Sequence, residues 1–339
     1  MTAMTARVGG ANRVEAFRGF LRRNSWTLGL VGFLAVLLLF TKLINPGYGI
    51  PGIQGLAISV LPLALAAVAQ AIVVLSGGID LSIGAIMALI SVITATLMQR
   101  ALTDMPGSAD LVGVGIVIAV LALGVLIGIV NGVVIVITRV PDIVVTLAMS
   151  FVWAGAALLV LNTPGGKSVD WLRQIVLGSL GAAFIPKAAV VLVAIVAVVW
   201  LPLRRLRPGL ALYAIGSNRL AAFRSGIPVG RTRILAYALM GLFAALGGLS
   251  LTASTGIGTP VPGPYTLMSV AAVVLGGVRL AGGRGGVFGP IVAVMVLQLI
   301  RTDMTFLNVD TNLAVVVQGV ILIGVVMIGS LLQMRQARA

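Results

Sequence analysis

The chain has 339 residues, of which 60% are hydrophobic and only 9% charged, and its mean hydropathy is +1.17. A soluble domain carries about 25% charged residues, so water is not the main solvent of this chain. The net charge of +15 does not mark a nucleic-acid binder, because the arginines sit between long uncharged stretches and form no basic face. Cys and His are both absent. That removes disulfides, thiol chemistry and His-based catalysis, and leaves a metal or haem without its usual ligands. No cofactor is expected.

The N-terminus is basic, with Arg7, Arg13, Arg18, Arg22 and Arg23, and an apolar run follows from Trp26 to Phe40. A cleaved signal peptide needs a small-residue site after a short apolar core. Here the run continues through Thr41 and Lys42 to Asn45 and Pro46 without one, so it reads as a retained first span.

A membrane-crossing helix needs about 20 apolar residues. In chain order the candidates are Trp26–Asn45, Ile53–Ser76, Ser82–Leu97, Leu111–Thr138, Ile143–Leu161 and Lys187–Leu203. Then come Ile234–Ala253, Tyr265–Val278, Gly285–Ile300 and Asn312–Leu332. All are read as helices, since an open sheet cannot satisfy its backbone in lipid. The predicted fold is an all-α polytopic bundle of about ten spans: a tail over 1–25, one membrane domain over 26–332 and a tail over 333–339.

Basic residues give the orientation. With the N-terminus inside, 17 of the 23 Lys and Arg fall on the inner side, seven of them between Arg204 and Arg233. The asymmetry places both termini in the cytoplasm. One stretch strains the count. Tyr265–Val278 is short and follows the Gly/Pro-rich piece from Gly256 to Pro264, so it reads either as a crossing or as a re-entrant segment. Short, interrupted segments of this kind often line a transport path. A faint echo links Val74–Leu81 with Val274–Leu280. Glycine pairs that break helices at any turn account for it as well as a repeat does.

The acidic residues Glu15, Asp80, Asp104, Asp110, Asp142, Asp170, Asp303 and Asp310 all fall at or outside the predicted span ends. Ion-coupled pumps usually carry such groups inside the bundle, which speaks against a proton-coupled carrier. A GxxxxGK[ST] phosphate loop is also absent, so energy for active transport would come from another subunit.

The Arg204–Arg233 connection is the most informative. Within it Asn218, Arg219, Leu220, Ala221, Ala222, Phe223, Arg224, Ser225 and Gly226 read as a short helix, with Asn218 as its cap and Gly226 as its stop. It has two readings. It docks on a partner through Leu220 and Phe223, or it is a positive topology signal lying on lipid headgroups.

The run from Tyr213 to Asn218, followed by Ala221-Ala222 and by Ser225-Gly226-Ile227, resembles the coupling loop of ABC-importer permeases, and within them the ribose-type simple-sugar family. So do Gly77-Gly78-Ile79-Asp80-Leu81-Ser82, Asn131-Gly132, Pro141 with Ile143–Leu147, and Val274-Leu275-Gly276-Gly277 with Gly282–Gly285. The pieces stand in family order from about Gly55 to Gly329. The Glu that opens the common Glu-Ala-Ala loop pattern is Leu220 here. The resemblance implies a permease subunit working with two ATPase subunits, a second permease chain and a periplasmic solute-binding protein in the inner membrane. It also implies that residues 218–226 contact the ATPase.

Asp80 has two readings as well: an N-cap of the third span, or a gating or ATPase-facing group. Gln70, Asn131, Thr146, Trp153 and Gln298 are polar or amphipathic groups in or near spans. Such groups most often tie helices together, and here some of them could contact a passing sugar. The competing functions are a stand-alone carrier, a permease for nucleosides or branched amino acids, and, weakest, a membrane enzyme.

Overall fold

The computed structural model describes residues 25–181 and 185–310, with scattered positions between 313 and 327. The two tails and most of the predicted last span lie outside the described residues. Within them, eight helices are long and apolar enough to cross a membrane. Without water in the hydrocarbon, each apolar run can satisfy its backbone only on itself, and the helices follow.

In chain order these are α1 (Ser25–Ile44), α2 (Ile50–Leu75), α3 (Ile83–Asp104), α4 (Ala109–Thr138) and α5 (Asp142–Val160). A short α6 (Asp170–Val176) and a hairpin of β1 (Ser179–Leu180) and β2 (Ile185–Pro186) come next. The chain then forms α7 (Lys187–Ile195), a π-helical turn over Val196–Trp200, and α8 (Leu201–Arg205). Pro202 lacks an N–H and cannot close an ordinary turn, and the wide turn sits just before it. After α9 (Arg207–Ser217) and α10 (Arg219–Arg224) come α11 (Val229–Thr255), α12 (Tyr265–Leu275) and α13 (Phe288–Phe306).

α2 is the centre of the bundle, with every residue from Val60 to Leu75 buried. α1 and α5 lie at the periphery. The tightest seam joins α4 to α11. Gly124, Gly128 and Gly132 recur every fourth residue on α4, and their backbone lies directly on Tyr237, Gly241 and Ala245 of α11. Helices in lipid gain by such close backbone approach.

The structure corrects several expectations. α3 runs to Asp104 and α13 to Phe306, so Arg100, Arg301 and Asp303 lie within helices. Asp303 is buried and accepts the Thr41 hydroxyl at 2.7 Å. Partnering at a helix end makes a carboxylate affordable there. The 204–233 connection holds two helices, α9 as well as the expected α10. Pro208 sits in the first turn of α9, where its missing N–H costs nothing.

The echoed segments close the same turn. Gly77 and Gly78 donate back to Val74 and Val73 at 2.9 and 3.1 Å, and Gly277 and Val278 to Val274 and Val273 at 3.0 and 3.1 Å. Gly77 and Gly277 have φ of 83° and 77°. Each is a helix end closed by a left-handed residue.

Candidate coupling face and buried polar cluster

One end of the bundle gathers α9–α10, the Ser76–Ser82 turn, the start of α5 and the 276–287 loop. The short helix α10 forms as its sequence dictates. Asn218 turns extended, at φ −158° and ψ 106°, and its Oδ1 accepts the Ala221 N–H at 2.9 Å. Gly226, at φ 81°, ends it, and the Ile227 N–H returns to the Ala222 carbonyl at 3.0 Å. Ala222 is the one α10 residue buried against the protein. Leu220 and Phe223 are 58% and 66% exposed. Arg219, Ala221, Arg224 and Ser225 are exposed beside them.

α9 ties this helix to the bundle. Gly216 lies on the Leu75 carbonyl so closely that no Cβ would fit, and Gly282 packs on both Gly77 and Gly216. The Gly283 N–H donates to the same Leu75 carbonyl at 3.0 Å. The Tyr213 hydroxyl donates to the Gly285 carbonyl at 3.1 Å. Burial raises the Tyr213 hydroxyl pKa above its ordinary value, with Arg204 opposing the shift.

Next to this contact sits a buried polar cluster that joins four of the six predicted path residues. Asp80 Oδ1 accepts both the N–H and the hydroxyl of Ser82 at 2.6 Å. Asn131 Nδ2 donates to Ser82 Oγ at 2.9 Å, and Trp153 Nε1 donates to Asn131 Oδ1 at 3.2 Å. Thr146 Oγ1 accepts the Leu81 N–H at 3.0 Å. Asp80 is therefore not the N-cap of α3. Ser82 holds that place, and Asp80, two residues earlier, uses its carboxylate to brace the turn. Asp80 Oδ2 has no partner among the described residues.

Burial pushes the Asp80 carboxyl up to about 6, against the lowering pull of the Ser82 and Asn131 hydrogen bonds, and Asp142 adds to the rise. The folded protein thus binds this proton more tightly than the unfolded chain does. The contribution to stability is present below pH 4 and is lost as pH rises through about 6. The wild-type melting temperature is expected to fall, relative to that of Asp80→Asn, between pH 5 and pH 8. A constant difference across that range would refute this account.

Sequence reasoning missed the ion pair beside the cluster. Asp142, the first residue of α5, pairs with Arg233 in the first turns of α11, and its Oδ2 accepts the Tyr237 hydroxyl at 2.7 Å. Gly78 lies directly on this carboxylate. Both partners stand at span ends and look like topology charges, so only their distance in space reveals the pair. Arg233→Ala leaves Asp142 nearly buried without its countercharge, which costs about 3 kcal/mol. Thermal unfolding in detergent is expected to show that loss, and the double variant Arg233→Gln, Asp142→Asn to recover most of it.

The other two predicted path residues lie elsewhere. Gln70 is fully buried in α2 with no partner for its carboxamide among the described residues. Gln298, on α13, donates to the Ser59 carbonyl at 2.8 Å.

Residues 52–326 match the family described as branched-chain amino acid transport system / permease component. The chain is similar to the ribose import permease protein RbsC of Bacillus subtilis, at 31% identity over 91% of this chain and 92% of the relative. It is 30% identical to RbsC of Escherichia coli K12, over 78% and 81% of the two chains. It is also 31% identical to the galactose/methyl galactoside import permease protein MglC of Escherichia coli K12, over 76% and 80%. No solved structure matches. The chain, a multi-spanning membrane protein, belongs to the branched-chain amino acid transport system / permease component family.

Proposed function

We propose that this chain is the transmembrane permease subunit of an ATP-driven importer for a monosaccharide. The observation that carries the reading is the relatedness, along most of both chains, to import permeases for ribose and galactose. ATP hydrolysis belongs to a separate subunit. The complex comprises two ATPase subunits, a second permease chain, identical or paralogous, and a periplasmic solute-binding protein. The end bearing α9 and α10 faces the cytoplasm, with both termini on that side, in the inner membrane. The excess of basic residues there supports this orientation.

In this reading residues 218–226 form the ATPase contact. Its support is a short, well-capped helix that presents two large apolar side chains to solvent and is joined rigidly to the bundle. The polar cluster of Asp80, Asn131, Thr146 and Trp153 sits behind it as the brace of the gate. Closure of the ATP-bound ATPase pair moves α10. The bundle then opens to the docked binding protein, takes the solute and later releases it inside.

The test is gentle purification from the native membrane, with uptake of labelled D-ribose, D-galactose, D-allose and L-leucine into vesicles. Recovery of a bound P-loop ATPase and ATP-dependent uptake of one of the sugars supports the reading. Uptake of L-leucine alone moves the solute to the amino acids in the family's description. A chain that purifies alone and moves solute without ATP makes it a stand-alone carrier.

A further inference from the structure

The connection from α11 to α12 crosses half of the bundle as extended backbone. Gly258 pairs with Gly165 and packs on Val92 and Ala95 of α3. Gly263 lies by Gly84, near the start of α3, and the Gly84 N–H donates to Thr266 Oγ1 at 2.9 Å. The chain thus runs beside α3 from Ala95 back to Gly84. The 11 residues of α12 then carry it about 16 Å further. There Trp26, at the start of α1, donates its indole N–H to the Leu275 carbonyl at 2.8 Å. The expected short segment is therefore one crossing made of two unlike halves.

Val261, Pro262, Gly263 and Pro264 are exposed in the extended half. Non-helical backbone at membrane depth is stable only against protein or water. Proline at positions 260, 262 and 264 removes three N–H donors, but every carbonyl remains.

A second observation lies on α13. Gln298, Arg301, Thr302 and Thr305 recur at helical spacing and, with Ser59 of α2, line a cavity of about 250 Å³. Arg301 is exposed. Gln298 lies at the middle of α13 and Arg301 about one turn nearer its end, and polar and charged groups within a span face a bundle interior or a water-filled cavity more often than lipid. α12 packs on α13, which joins the stripe to the broken crossing.

We propose that the broken crossing and the α13 stripe together line the water-filled path of the solute, a neutral polyhydroxylated molecule. The inference rests on the permease reading. The lining offers a carboxamide, two threonine hydroxyls and guanidinium N–H groups, which suit hydroxyl groups. It offers no carboxylate, and Arg301 repels cations. The cavity is smaller than the roughly 300 Å³ at which enclosed ligand pockets begin. It makes passing contacts and does not trap the solute.

The chain contains no cysteine, so single-cysteine variants need no prior substitution. Val261→Cys and Thr302→Cys are compared with Phe151→Cys, 72% exposed midway along α5. The full complex in membranes is treated with a membrane-impermeant, sulfonate-bearing methanethiosulfonate. Thiols in water react as thiolates, and the two path variants are expected to react about tenfold faster than the control. Equal rates would overturn the proposal. Separately, Thr302→Val with Thr305→Val, whose hydroxyls bond only carbonyls of their own helix, is expected to lower uptake of the transported sugar severalfold, with ATPase recovery and melting temperature unchanged. Unaltered uptake would also overturn it. A wild-type complex without ATP-driven uptake sinks the permease reading instead, and the labelling rates remain readable.

Discussion

Replacing Leu220 and Phe223 together with Ser is expected to abolish ATP-driven uptake and to strip the ATPase from the purified permease. The melting temperature of the permease itself should not move. Both side chains project from α10 into solvent, at 58% and 66% exposure, so the fold loses little when they are removed. A large apolar side chain buried in a partner's groove contributes about 1.5–3 kcal/mol. Two of them amount to at least about a hundredfold in affinity. Ala222 is a poorer place for the same experiment. It is only 5% exposed, so a bulky residue there strikes the protein's own interior and confuses docking with folding. If the ATPase stays bound to the double variant, α10 is not the docking helix.

The second large effect is expected at Gly128. A Cβ there would overlap the Tyr237 carbonyl on α11, and backbone cannot step aside as a side chain does. Gly128→Ala must therefore push α4 and α11 apart along the seam that Gly124 and Gly241 also close. Overpacking of this kind costs about 3 kcal/mol, and a sharp fall in detergent melting temperature and in yield should report it. Gly115 on the same helix has nothing within 4 Å of its Cβ position. Gly115→Ala should leave stability unchanged or raise it by up to about 1 kcal/mol. Equal behaviour of the two variants would show that the seam is loose.

The contrast between Gly128 and Gly115 explains how much the sequence reveals. Span positions were legible because apolar runs of sufficient length have one outcome in lipid. The α10 helix was legible because Asn218 and Gly226 are local signals with local consequences. The cluster of Asp80, Asn131, Thr146 and Trp153 was legible as a set of polar residues in or near spans, although not as one network. Asp142 and Arg233 were not, because a paired charge and a topology charge look alike until their separation is known. α9 escaped notice because Gly209 and Gly216 weaken its helical pattern, and its formation depends on packing against Leu75 and the 276–287 loop. The broken crossing showed itself in the Gly/Pro-rich run. Its path beside α3 did not, since that is set by contacts with Ala95 and Gly84, distant in the chain.

The contact among Gly77, Gly216 and Gly282 has a mechanical consequence. Three strands of backbone meet there with no side chain between them, so there is no soft material to absorb a displacement. Gly77 leads through a short turn to the start of α3, and Gly282 through its loop to the start of α13. A torque applied at α10 therefore reaches both helices at once, through a joint with almost no play. The bundle would answer such a torque as a stiff lever turning on a shared pivot, and only a residue larger than glycine at that joint would introduce backlash.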